Sequence, residues 1–141
     1  MPLKTRVPAD IEGRLSTLGD VLAAGCPAID FAYVFGSTGT AHATPRSDVD
    51  LAIYVADSAD PHFTRLETSR IAARHLGTDA IDIVVLNTAP VALAGRVLTS
   101  RRVIVDRRPF LRHRYESLTA RLFQDFRIRE RRLLAERYGR G

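Results

Sequence analysis

A chain of 141 residues, 45% hydrophobic and 26% charged, can bury a core in one domain without disulfides or a structural metal. Its one cysteine, Cys26, excludes an internal disulfide and fits a reducing cytoplasm, while the lack of any apolar run of about 18 residues or of a signal-like N-terminus argues against membrane insertion and secretion. The net charge of +5 is uneven: residues 1–100 hold 8 Lys+Arg against 11 Asp+Glu, and residues 101–141 hold 13 arginines against 5 acids.

The elements alternate as in a mixed α/β (α+β) domain, a small sheet flanked by helices, and no repeat or linker divides the chain. Ile11, Leu15, Leu18 and Leu22 recur at helical spacing and predict a first helix ending near Gly25. The apolar runs at 31–35 and 49–55 predict strands. Pro61 to Leu76 predicts a helix stopped by Gly77, with Phe63, Leu66, Ile71 and His75 as candidates for its buried side. A strand at 81–86, a helix from Pro90 to about Leu98 and a short strand at 103–105 follow.

From Pro109 onward the pattern is one long amphipathic helix, so that the chain divides into a core over 1–108 and a basic helix over 109–141. Leu111, Tyr115, Leu118, Leu122 and Phe126 form its stripe, with Leu133 and Leu134 beyond it. The first half is expected to pack on the domain's own sheet, and residues past Phe126 on a partner helix. No RNA-binding signature accompanies the arginines, so solvated side chains or a protein interface fit better than direct nucleic-acid recognition.

The chemistry concentrates in 31–55. An apolar strand stops at Gly36-Ser37, ten residues intervene, and Asp48-Val49-Asp50 opens the next strand. Gly36 lets backbone approach a ligand, Ser37 adds a hydroxyl, and a helical turn beginning at Thr38 would aim free N–H groups at a phosphate. Alternation along the second strand puts Val49, Leu51, Ile53 and Val55 on an apolar face and Asp48 and Asp50 on the other. Paired carboxylates repel unless a cation sits between them, and oxygen-only ligands favour Mg²⁺ or Mn²⁺. Asp82, set among apolar residues of the 81–86 strand, is the third carboxylate; Asp79 precedes that strand, where a turn explains it. Arg46 stands two residues before Asp48, placed either for a phosphate or for an ion pair with the aspartates.

Gly36, Ser37, Asp48, Asp50 and Asp82 resemble the signature of the minimal nucleotidyltransferases (MNT) of the DNA polymerase β superfamily: Gly-Ser, ten residues, Asp-x-Asp, and a third acid on a later strand. The stretch 81–110 is similar to the family's strand, Asn-x-Ala-Pro helix start and final strand. The resemblance implies a polymerase β-like fold and, in a small stand-alone chain, the antitoxin half of a HEPN–MNT toxin–antitoxin pair. It further implies transfer of AMP from ATP to a tyrosine of the HEPN ribonuclease. Asp48 and Asp50 would serve two Mg²⁺ ions, joined by Asp82, and Gly36 and Ser37 would hold the triphosphate. One departure stands out: Thr38, Gly39, Thr40 and Ala41 replace the family's usual Gly-Ser-x-Ala-x-Gly continuation and its nearby arginine.

Two rivals remain. A small-molecule acceptor of the aminoglycoside kind is one, although the single helix after residue 109 leaves little room for the extra domain such enzymes carry. A degenerate transferase that neutralises a toxin by covering it is the other; the altered loop favours it, and retention of all three acids opposes it. No Walker loop, Gly-x-Gly-x-x-Gly, nucleophile elbow or metal-spaced histidine set points elsewhere.

Overall fold

The computed structural model describes residues 10–36 and 48–138. Its elements are α1 (Ile11–Gly25), β1 (Ile29–Phe35), β2 (Val49–Val55), α2 (Pro61–Leu76), β3 (Ile81–Val85), α3 (Val91–Thr99), β4 (Arg102–Asp106) and α4 (Pro109–Tyr138). The strands form one mixed sheet in the order β3-β2-β1-β4. β1 runs antiparallel to both β2 and β4, and β2 runs parallel to β3 through the α2 crossover.

Strand alternation divides the apolar residues between the two faces of this sheet. Ala32, Val34, Val49, Leu51, Ile53, Val55 and Val105 point to one side, where Leu15, Leu18 and Leu22 of α1 and Ala72 and Leu76 of α2 close the core. Phe31, Tyr33 and Ala52 point to the other, where Leu86, Val97 of α3 and Leu111 and Tyr115 of α4 cover them. Phe31 stacks on Tyr54 with ring centroids 4.8 Å apart, and the Tyr115 ring meets both.

β1 starts two residues earlier than the apolar run suggests. The register with β2 shifts between Ile29 and Phe31, so Asp30 is an inserted bulge residue. Its buried carboxylate is met by Arg108 at 3.6 Å. β4 likewise gains Arg102 and Asp106, whose backbones pair with Val34 and Phe31 whatever their side chains carry.

α2 corrects the expected burial. It begins as predicted, with the Asp60 carboxylate accepting the His62 N–H at 3.0 Å and Pro61 in the first turn, and it stops at Gly77. Its buried stripe, however, is Thr64, Thr68, Ala72, Ala73 and Leu76, while Phe63 and Leu66 are 61% and 53% exposed. Small residues let α2 lie close to its neighbours. The buried threonine hydroxyls donate to carbonyls one turn back, Thr64 to Asp60 and Thr68 to Thr64 at 2.9 and 2.7 Å, which removes the cost of burying them.

α4 packs by a stripe shifted from the one predicted. Leu111 and Tyr115 face the sheet, followed by Thr119 and Phe123, whereas Leu118, Leu122 and Phe126 remain exposed along with Leu133 and Leu134. A polar clamp sets this rotation. Glu116 accepts from the Tyr33 hydroxyl at 2.7 Å, from Arg101 Nε at 3.0 Å and from Arg112 at 3.1 Å, and Arg112 reaches Asp106 at 3.0 Å. Where α3 crosses α4, Gly95 gives way to an aromatic ring: any Cβ there would fall inside Phe123.

Candidate active site

Three strand ends meet at one corner of the sheet, on the face that carries α3 and α4. In the ladder Phe35 of β1 lies opposite Asp50 of β2, and Asp50 lies opposite Asp82 of β3. Neighbouring strands run about 4.8 Å apart, so register alone makes the two carboxylates neighbours. The parallel pairing is pinned at both ends. At the site end the Val49 N–H donates to the Ala80 carbonyl at 2.8 Å. At the far end the Asn87 side chain accepts from the Val55 N–H and donates to the Val55 carbonyl, each at 2.8 Å, extending the ladder beyond β3.

The carboxylates differ in setting. Asp50 is half-buried, whereas Asp48 and Asp82 are exposed. Burial pushes the Asp50 carboxyl up from its ordinary value, and the negative charges of Asp82 and then Asp48 push it further. Both charged neighbours that act on Asp50 among the described residues are themselves acidic. Among the described residues, no three carboxylate, imidazole or thiol groups already converge as a finished metal-ion site.

Gly36 closes the corner from the β1 side. Its φ of 76° is left-handed, and a Cβ would lie 2.6 Å from Asp50 Oδ2, so glycine is required here by conformation and by space. The Gly36 N–H donates to Ser100 Oγ at 2.9 Å. Ser100 follows the last turn of α3, and it is a positioning residue that the sequence did not reveal: a serine 64 positions away in the chain carries no local sign that it will hold the glycine turn. Of the residues expected in the site, the structure pairs Asp50 with Asp82 in the ladder, leaves Asp48 near enough for its charge to act on Asp50, and sets Gly36 against Asp50. Ser37, Arg46 and the turn expected from Thr38 to His42 lie outside the described residues. No described helix is long and apolar enough to cross a membrane.

The polymerase β nucleotidyltransferase family model matches residues 20–110, which span β1, β2, β3 and all three carboxylates. No curated protein matches the sequence. Among solved structures, the fold is similar to a complex of a tri-AMPylated Shewanella oneidensis HEPN toxin with MNT antitoxin, at 22% identity and a TM-score of 0.65, covering 89% of this chain and 96% of the other. It is also similar to a toxin–antitoxin complex with AMP-PNP, at 23% identity, TM-score 0.67 and the same coverages of 89% and 96%. A MntA–HepT toxin–antitoxin complex matches at 21% identity and TM-score 0.64, with 89% and 97% covered. With the matched segment running through the glycine turn and every acidic residue of the corner, this chain belongs to the polymerase β-type nucleotidyltransferase family.

Proposed function

We propose that the protein is an MNT-type antitoxin that transfers AMP from ATP to a tyrosine hydroxyl of a cognate HEPN ribonuclease and so neutralises it. The observation that carries this reading is the juxtaposition of Asp50 with Asp82 in the strand ladder, beside a left-handed Gly36, within a nucleotidyltransferase domain. The likeness to chains solved with AMP-PNP and with a tri-AMPylated HEPN toxin supports the nucleotide and the acceptor.

The donor set suits Mg²⁺. All three candidate ligands are carboxylates, and their mutual repulsion at Asp50 is what a hard divalent cation would relieve. Asp48, Asp50 and Asp82 would hold it. When bound, such an ion neutralises triphosphate charge and lowers the pKa of the attacking hydroxyl.

The chain's own residues do the positioning. Gly36 lets the backbone approach the phosphates with no Cβ in the way, and Ser100 fixes the orientation of its peptide. Ser37 and Arg46 would add contacts to the triphosphate. Exposed Asp82 stands on the edge strand, where an acceptor hydroxyl has access. In the transfer the hydroxyl oxygen bonds to Pα, the Pα–O bond to the leaving pyrophosphate breaks, and the hydroxyl proton passes to solvent. Replacing Asp48 with Asn should abolish transfer, read as loss of AMP-sized mass gains on the HEPN partner, with the far-ultraviolet circular dichroism unchanged; full transfer by that variant would refute the assignment.

A further inference from the structure

Beside the glycine turn, between α3 and α4, lies a groove of about 440 Å³ that the transfer chemistry does not use. That volume is within the usual range of ligand clefts, roughly 300–1,000 Å³. Thr99 and Arg101 line its near end, and these two residues flank Ser100, the acceptor of the Gly36 N–H. The groove thus opens one residue from the site's own scaffold.

Its chemistry is cationic. Arg101, Arg127 and Arg131 line it together with Phe123 and Gly95. Arg101 is engaged with Glu116 and the Leu98 carbonyl. Arg127 lies over the Phe123 ring, 5.8 Å from its centroid, which steadies a guanidinium whose fork suits phosphate. Among the described residues, neither Arg127 nor Arg131 pairs with a carboxylate. What sets these two apart from the other arginines of α4 is their place: both line one groove with Arg101, where their charges converge on a space suited to an anion brought by a ligand.

The geometry points to this groove as a subsite for adenylate units already attached to the acceptor, and this inference rests on the proposed AMP transfer. Each added unit carries one phosphodiester charge. In a second transfer, a ribose hydroxyl of the attached adenylate bonds to Pα of a new ATP, pyrophosphate leaves, and the hydroxyl proton goes to solvent. The growing product then needs somewhere to lie next to the corner, and Arg127 and Arg131 can take its phosphates while a purine stacks on the flat guanidinium.

Fluorescence anisotropy of labelled pApApA on the full chain tests the subsite. The Arg127→Ala/Arg131→Ala double variant should bind at least tenfold more weakly, and its slope of log affinity against log salt should shrink by about 1.4, near 0.7 per lost phosphate contact. Arg137→Ala, on the same helix but away from the groove, should bind as the parent chain does. Equal weakening in Arg137→Ala overturns the inference. So does displacement by hexaglutamate as efficient as by unlabelled pApApA, which would make the groove a contact for acidic protein. In a second arm, intact mass is followed on the cognate HEPN toxin, with ATP and Mg²⁺. The double variant should add the first AMP at the parental rate and stall before the next. A double variant that extends as far as the parent, or a parent that stops at one AMP, overturns the subsite while leaving AMP transfer standing. A parent that adds none removes the transfer reading, and the anisotropy then decides whether the groove binds adenylates.

Discussion

Asp50 carries the conflict between folding and chemistry at this corner. It is half-buried beside two other carboxylates, and its carboxyl holds a proton more tightly in the folded chain than in the unfolded one. The folded state therefore binds more protons, so ionisation opposes folding at neutral pH, and that opposition fades as pH falls through the raised folded value toward the ordinary aspartate range. Asp50→Asn should accordingly raise the apo Tm, by roughly 2–4 °C if about 1 kcal/mol of repulsion is relieved, while abolishing transfer. Adding Mg²⁺ should raise the Tm of the parent chain and leave that of Asp50→Asn unmoved; equal stabilisation of both would remove Asp50 from the cation's ligands. Gly36 is constrained differently. Gly36→Ala forces a side chain into left-handed backbone and against Asp50 Oδ2, at a cost of about 1–3 kcal/mol, and calorimetry together with transfer assays should show both stability and activity reduced. The aspartates and the glycine were legible in the sequence because spacing and strand alternation are local. Ser100 was not, because its role exists only once α3 and β1 meet.

At the scale of elements, strand faces were readable and helix faces less so. The residues 49, 51, 53 and 55 fall on one side of β2 as alternation requires, and among the described residues every predicted helix and strand exists. α2 misled because its large apolar residues are not its buried ones: contact with close neighbours selected threonine and alanine over phenylalanine and leucine. α4 misled because charge, not apolarity, sets its rotation. Glu116 is drawn inward by Tyr33, Arg101 and Arg112, and no hydrophobic pattern announces a half-buried acid. Burial alone would push the Glu116 carboxyl up, but those three partners together hold it below its ordinary value. A depressed folded value means stability that is fully present above the unfolded glutamate range, roughly pH 4.3, and lost as pH falls through the lower folded value. Glu116→Gln should therefore destabilise the chain by about 1–2 kcal/mol at pH 7, since exposed Arg101 loses its carboxylate and Arg112 keeps only Asp106. In denaturant melts the gap between variant and parent should narrow as the pH is lowered past 4; a gap independent of pH would assign the loss to packing.

For the whole molecule, the uneven charge acquires a spatial meaning. The acidic excess of residues 1–100 includes the carboxylate corner, while the arginines of 101–141 divide between partners and surface. Arg101, Arg102, Arg108 and Arg112 are tied to carboxylates, whereas Arg127 and Arg131 face the α3–α4 groove. On the proposed reading, the carboxylate corner would take the metal–nucleotide complex, and the cationic groove beyond Ser100 would hold the phosphodiester product. The outer apolar residues of α4, Leu118, Leu122, Phe126 and Leu133, are exposed and leave a surface that a protein acceptor could cover. The most direct test is intact mass spectrometry of a HEPN toxin that forms a complex with this chain, after incubation with ATP, Mg²⁺ and either the parent protein or Asp48→Asn. Mass gains in whole AMP units with the parent and none with the variant are predicted. A stable complex with no mass gain from the parent would contradict transfer and leave an antitoxin that acts by binding alone.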